Sequence, residues 1–332
     1  MLDSIASPAL WAVTVGAVLT LLVVDFVATR RPHEVSMREA VAWSTFYIAL
    51  PVAFGGYVWS RHGGERGVEY YTGYLVEKTL SVDNLFVFML LLTAFAVPPV
   101  LQQRVLLYGI VGALLMRAVF IALGAAALSR FTWVFLVFGA VLVLTGVKLL
   151  REAPGGHTRE VDVSTMRVVR LARRLMPVAD EYEGTRLLTR VGGARALTPL
   201  ALVVLAVLAT DLVFAVDSVP AVYGITEDPY LVFVTNAFAL LGLRALYFVL
   251  QGALARLVYL SYGLAAVLGF IGVKLVLHWA HGVWPEVPEV PTLLSLAVIV
   301  LVLAVTTAAS LLTTRRGARL ATTSPRLHGP AA

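Results

Sequence analysis

The sequence predicts an all-α polytopic membrane protein of about nine transmembrane helices, with two inverted three-helix repeats among them. Hydrophobic residues make up 59% of the 332-residue chain and charged residues only 14%, a balance outside that of soluble domains. Apolar runs of about 20 residues, long enough to cross a hydrocarbon core, recur along it. Two blocks of three such runs resemble each other.

In order, the runs lie at about 8–28, 39–60, 72–95, 104–128, 131–150, 198–222, 230–252, 257–279 and 291–313. The first follows Asp3 and precedes Arg30 and Arg31. A secretory signal has its basic residues at the start, so this run reads as a retained membrane helix. With the second run it forms an N-terminal unit, residues 1–71. Residues 72–150 make the first repeat.

The longest polar segment, 151–197, holds nine arginines. In "TMRVVRLARRLMPV" Val168, Leu171, Ala172 and Leu175 share one helical face and Arg167, Arg170 and Arg174 the other. That suits either a helix lying on anionic lipid or one packed on the membrane domain. "TRLLTRVGGARAL" predicts a small hairpin turning at Gly192 and Gly193. Residues 198–279 make the second repeat, 280–314 carry the last membrane helix, and 315–332 form a polar tail expected to be disordered.

The repeat rests on "SVDN" against "AVDS", "GIVGALLMR" against "NAFALLGLR", and the tetrapeptide "GVKL" at both 146–149 and 272–275. Three helices is an odd number, so the second copy enters the membrane from the opposite side. Inverted repeats in transporters hold their sites near the midplane, at discontinuous helices. Alternating outward from 151–197, Arg30, Arg31, Arg38, Arg104, Arg256 and the tail arginines Arg315, Arg316, Arg319 and Arg326 fall on that segment's side. The positive-inside rule makes this side cytoplasmic, with the N-terminus outside and the C-terminus inside.

Four carboxylates interrupt the apolar background: Glu77 and Asp83, then Asp211 and Asp217, repeat a six-residue spacing. Each ionised carboxylate at a bilayer centre costs roughly 2.5–3.5 kcal/mol, so four left alone would cost on the order of 10 kcal/mol. Either Lys78, Arg117, Lys148, Arg244 and Lys274 neutralise them in pairs that merely tie helices together, or the acids form a functional site. The duplicated spacing favours the site, since buried pairs often do no better than apolar packing.

Glu77, Ser81 and Asn84 share a helical face, as do Asp211 and Ser218. Six residues leave Asp83 about 120° from the face of Glu77 on a straight helix. Local breaks near Asp83 and Asp217, the latter aided by Pro220, are expected to bring acids of both repeats to one midplane point shared by Asp83 and Asp217. Carboxylate, amide, hydroxyl and carbonyl oxygens suit divalent cations such as Mn²⁺, Mg²⁺ or Ca²⁺. The expected metal ligands are Glu77, Asp83, Asn84, Asp211, Asp217 and Ser218. Lys148 and Lys274 are support, because an ammonium only donates.

Other chemistries are excluded on specific grounds. Cysteine is absent, which removes disulfides, thiolate sites and cysteine nucleophiles. There is no GxxxxGK[ST] loop for ATP, and no serine near the acids has a histidine partner within its span, so no enzyme is expected. His278 and His281 read as an incidental pair at the outer end of the eighth run. Gly109, Gly112, Gly139 and Gly242 read as close-packing positions. The net charge of +6 is confined to loops rather than forming a stripe with aromatics, which argues against nucleic acid.

"EYYTGYLVEKTLSVDNLFVF", "TDLVFAVDSVPAVYGIT" and "NAFALLGLRALYFVL" resemble the TerC family of bacterial integral membrane proteins. The likeness runs over about residues 40–312, with the motifs in the family's order. The family was named for tellurium resistance, and some members look like manganese exporters. The resemblance implies a multi-pass protein of the bacterial inner membrane. It puts the ion-binding acids at Glu77, Asp83, Asp211 and Asp217, and polar support at Asn84, Ser218, Asn236 and Arg244. It also names Mn²⁺ as the ion. The expected function is a secondary transporter exporting a divalent cation, with protons as the coupling species and no permanent cofactor. The alternative is a membrane scaffold in a metal or tellurium stress-response complex.

Overall fold

The computed structural model describes residues 4–28, 34–153, 166–251 and 259–323. Arg30, Arg31, Arg256, Arg326 and the end of the expected disordered tail lie outside the described residues.

Caps and breakers divide the apolar runs into helices. Helix α1 is Pro8–Ala28. Helix α2 (Met37–His62) starts at Ser36, whose hydroxyl accepts from the Glu39 amide, satisfying one of the helix's free donors. Gly63, at φ +91°, ends α2 and turns the chain directly into α3 (Gly64–Ala94), a conformation cheap only for glycine. Helices α4 (Pro99–Leu128) and α5 (Trp133–Glu152) follow.

In the polar segment, α6 (Arg167–Leu175) buries Val169 and Ala172 and packs on α7 (Pro199–Tyr223). Leu171 and Leu175, expected on its apolar face, stand exposed. The packed-helix alternative therefore describes one face of α6. The expected hairpin forms from β1 (Leu188–Val191) and β2 (Ala194–Leu197), with Val191 opposite Ala194. Gly192 and Gly193 make its turn at φ +58° and +85°, the pattern of tight hairpins. The hairpin delivers Thr198, which caps α7 through the Ala201 amide. Tyr182 fixes the segment to the end of α3 by donating to the Phe95 carbonyl at 2.8 Å. Burial pushes its phenol up to about 12, so it stays a donor at any physiological pH.

Asp228 caps α8 (Pro229–Leu241), and a 44° bend at Gly242 separates it from α9 (Leu243–Leu250). Helices α10 (Leu260–Val283) and α11 (Thr292–Thr323) complete the fold. Helix α11 continues past the expected boundary at 314. Among the described residues, seven helices are long and apolar enough to cross a membrane, or eight if α8 and α9 count as one bent span. The remaining expected span lies in α3, 31 residues long but interrupted by Glu65, Arg66, Glu69, Glu77, Lys78 and Asp83. Helices α2, α7, α8, α9, α10 and α11 surround α3, so much of its polar content meets protein rather than lipid.

Two expectations are corrected here. Helices α3 and α7 run unbroken past Asp83 and Asp217. No glycine or proline lies between Gly73 and the end of α3 to break it, and Pro220 removes the amide that would bond the Val216 carbonyl yet leaves α7 continuous to Tyr223. The discontinuity is at Gly242 instead.

Helix α4 packs on α7, α8 packs on α3, and α5 packs along α10. The α5–α10 seam is built on glycines. A Cβ on Gly139 would meet the Gly272 carbonyl oxygen at 2.7 Å, and one on Gly146 would meet the Ala265 carbonyl oxygen at 2.9 Å. These contacts show the two helices running in opposite directions. The shift of 126 that superposes the two GVKL tetrapeptides turns the pair 139·272 into 265·146, so it maps one contact onto the other.

Candidate functional site

The centre of the bundle holds an ion triad. Arg117 of α4 donates from Nη1 to Glu77 Oε2 of α3 at 2.7 Å and from Nη2 to Asp211 Oδ1 of α7 at 3.3 Å. Asn236 of α8 donates from Nδ2 to Glu77 Oε1 at 2.8 Å. Relative exposure is 0% for Glu77 and 1% for Arg117, Asp211 and Asn236. Removing such charges from water costs several kcal/mol per ion, which pairing only partly repays.

The triad is incompletely satisfied. Asp211 Oδ2, Asn236 Oδ1, Arg117 Nε, Ser81 Oγ, Ser218 Oγ and Asn84 Nδ2 are buried without a hydrogen-bond partner. Native interiors leave few such atoms, and a cluster of them calls for an explanation. Four are oxygens that can accept or coordinate.

Helix α3 runs antiparallel to α7. Gly73 of α3 lies against Val222, while Glu77 is bridged to Asp211, so moving forward on one helix moves backward on the other. Counted from the Gly73–Val222 contact at the rise of a helix, Asp217 stands about level with Glu77 and Asp83 about level with Asp211, roughly 8 Å apart along the axes. Both are half-buried, while Glu77 and Asp211 are fully buried. Asp217 still lies within range of the charges of Arg117 and Glu77. Asp83 and Asp217 therefore lie at the levels of the two central acids rather than beyond them. Among the described residues, no three Asp, Glu or His side chains gather closely enough to hold a metal ion.

The expected supporting cations separate. Only Arg117 pairs with the central acids. Lys78 donates to the Ala239 carbonyl oxygen at 3.3 Å, beside the bend at Gly242. Lys148 is exposed. Lys274 lines a cavity at one end of the bundle. Arg244 is held by an acid of the first helix. Its Nε and Nη2 donate to Asp25 of α1 at 3.1 and 2.6 Å, and its Nη1 to Gln103 at 3.0 Å. Asp25 is 2% exposed. A lone acid in the first apolar run was its only sequence signal.

The cavity lined by Lys274, about 1020 Å³, opens between the α2–α3 turn, the α7–α8 connection and the start of α11. Its lining includes Glu69, Glu227, Asp228 and Glu289, with Arg66, Lys274 and His278. His278 contacts Glu227 at 3.1 Å and Glu289 at 3.0 Å, so it is held in place rather than free at the surface. Glu69 accepts from Arg66 at 2.9 Å and from Thr226 at 2.8 Å. It stands two helical turns before Glu77 on the same side of α3, about 12 Å away. Between them Gly73 faces Val222 and Thr235. Sequence reading passed over Glu69, although it opens the quoted motif.

The description "Integral membrane protein TerC family" belongs to a family model that matches residues 62–318. The chain is 40% identical over 313 residues to an uncharacterized membrane protein of Myxococcus xanthus, a match covering 94% of this chain and 95% of that one. It is 43% identical over 337 residues to an uncharacterized membrane protein of Mycobacterium tuberculosis, covering 98% and 85%. It is 36% identical over 286 residues to the Escherichia coli protein named "Putative membrane-bound redox modulator Alx", covering 83% and 88%. No solved structure matches the chain.

Proposed function

The chain belongs to the TerC family of integral membrane proteins, and from that premise we propose that it is a secondary transporter exporting a divalent cation, Mn²⁺ first among them. One observation carries the reading. Two fully buried carboxylates, Glu77 and Asp211, come with unpartnered buried oxygens: Asp211 Oδ2 itself, Oδ1 of the Asn236 amide bonded to Glu77, and Ser81 Oγ one turn along α3 from Glu77. The donor set is all oxygen, as a hard or borderline divalent cation requires. Intramembrane acids are rare except on ion and proton pathways.

The exchange of contacts 139·272 and 146·265 under one shift, together with α4 packing on α7 and α8 on α3, supports inverted repeats and alternating access between them. The central site is Glu77 with Asp211. Asp217 joins Glu77 on the side leading to Glu69 and the cavity, and Asp83 joins Asp211 on the cytoplasmic side. Protons are the counter-ion, since each carboxylate can exchange a proton for the metal. The 151–197 segment and the C-terminus are cytoplasmic. A redox role, as the name of the E. coli relative has it, would lack thiol chemistry here because the chain has no cysteine.

The test is uptake of Mn²⁺, Mg²⁺, Ca²⁺ and Zn²⁺ into vesicles holding the purified protein under an imposed pH gradient. Mn²⁺ movement is expected, and Glu77→Gln or Asp211→Asn should abolish it in folded protein. Full transport by both variants would instead favour the scaffold, whose buried charges only fix the fold.

A further inference from the structure

Arg117 and Arg244 are counterparts in the two repeats, ending the matched stretches "GIVGALLMR" and "NAFALLGLR". Both are almost completely buried, at 1% and 3% exposure, yet they are bonded in different ways. Arg244 has Nε, Nη1 and Nη2 all engaged, two of them side by side on one carboxylate, Asp25. That is the geometry of a permanent bidentate clamp. Arg117 instead spreads two nitrogens over two carboxylates from different helices, at 2.7 and 3.3 Å, and leaves Nε unpartnered. Around it Asp211 Oδ2 and Asn236 Oδ1 stay empty-handed. A purely structural arginine would be expected to finish its own bonds and those of its acceptors, as Arg244 does.

We infer that Arg117 is the transporter's tethered counter-cation: its guanidinium fills the gap between Glu77 and Asp211 while no metal is bound, and a divalent cation must displace it to bind there. The inference rests on the metal-transport reading above. Two carboxylates and one guanidinium leave a net charge of −1 at the triad. A divalent cation in place of the guanidinium brings the same two carboxylates to zero and can draw on the unpartnered oxygens as further ligands. The displaced guanidinium does not become an isolated buried charge, because Asp217 of α7 lies within range of it. Arg117 thereby keeps two facing carboxylates tolerable in the empty protein, where their mutual repulsion would otherwise be uncompensated. It also sets a threshold: only a cation that outcompetes a guanidinium enters. Arg244, fully clamped and diverted by the bend at Gly242, cannot take over this role in the conformation described.

The experiment is equilibrium Mn²⁺ binding to purified wild-type protein and to Arg117→Gln, Arg117→Lys and Arg244→Gln, with a thermal unfolding curve for each. If the guanidinium occupies the gap in about 90% of empty molecules, removing it raises the apparent affinity about tenfold. Arg117→Gln should therefore bind Mn²⁺ about tenfold more tightly, while Arg244→Gln loses thermal stability without any gain in affinity. Should Arg117→Gln fail to fold, Arg117→Lys gives the answer: lysine lacks the planar fork that presents separate nitrogens to the two carboxylates, so it fills the gap less well, and binding at least threefold tighter is expected. Unchanged or weaker binding by a folded Arg117 variant overturns the inference while leaving the metal site standing. A wild-type protein that binds none of Mn²⁺, Mg²⁺, Ca²⁺ or Zn²⁺ overturns the metal reading and this inference together.

Discussion

Replacing Gly139 by alanine adds one methyl group at the crossing of α5 and α10, and its consequence can be worked from the seam. The new Cβ would stand 2.7 Å from the Gly272 carbonyl oxygen and 2.8 Å from Val276 Cγ2. Ordinary contact begins near 3.4 Å, and the carbonyl belongs to a helix backbone that cannot rotate aside. The two helices must therefore part by several tenths of an ångström along a seam with few other adjustable groups. Overpacking of this kind costs about 1–3 kcal/mol. Against it stands the better helix propensity of alanine over glycine, about 1 kcal/mol.

Gly269→Ala supplies the control that isolates the clash. Gly269 is in the same helix as Gly272, and a Cβ there meets nothing within 4 Å. It shares the propensity term and lacks the clash, so Gly139→Ala should be less stable than Gly269→Ala by about 1–3 kcal/mol. Gly272→Ala should resemble Gly139→Ala, because its Cβ meets the Gly139 carbonyl oxygen at 2.8 Å and Val143 Cγ2 at 2.9 Å. The double variant should cost less than the sum, since helices already parted for one methyl have room for the second. Unfolding curves of the purified variants in one mild detergent decide the matter. Equal stability of Gly139→Ala and Gly269→Ala would show that the seam is not limited by these glycines.

Three further outcomes are expected. Arg244→Gln or Asp25→Asn alone should destabilise the protein by about 3–5 kcal/mol, while Asp25→Leu with Arg244→Met recovers most of the loss; unfolding curves in which the singles match wild type would deny the clamp its role. Asp83→Asn should weaken Mn²⁺ binding less than Asp211→Asn, because Asp211 is fully buried and bonded to Arg117 whereas Asp83 is half-buried and its charge is better screened, and equal losses in a binding titration would make Asp83 a full ligand of the central site. Arg190→Cys, at the hairpin, should react with a membrane-impermeant thiol reagent only after cells are opened; labelling of intact cells would reverse the topology, and the native chain contributes no background because it has no cysteine.

Much of the architecture was legible in the chain because the membrane imposes length and apolarity on each span. The hairpin was legible because Gly192 and Gly193 supply a backbone that other residues avoid. The triad was legible in part. Glu77, Asp211, Arg117 and Asn236 were all singled out, but which cation meets which acid depends on helix packing. Arg117 and Arg244 end nearly matched stretches. The bend at Gly242 and the acid at Asp25 nevertheless send Arg244 to α1, a partner 219 residues away in the chain. Glu69 escaped notice because its significance comes from Thr226 and the cavity wall, which approach it from the far half of the sequence. The expected helix breaks failed for local reasons: α3 has no glycine or proline past Gly73, and α7 continues through Pro220 to Tyr223 despite the lost amide.

The duplicated spacing explains how four acids can share one region without meeting at one point. If the repeats are inverted, their equivalent helices run antiparallel about a two-fold axis in the membrane plane. Counted from the Gly73–Val222 contact at about 1.5 Å per residue, Glu77 and Asp211 stand about 10 Å apart along the axes. Arg117 joins them from between, at 2.7 and 3.3 Å. Six residues forward from each acid lead towards the level of the other, so Asp83 comes level with Asp211 and Asp217 with Glu77. An identical spacing therefore supplies two levels, each with one carboxylate from either repeat. For a cation that must be handed between two aqueous faces, two such levels offer successive stations, whereas four acids at one point would hold the ion too tightly to release it.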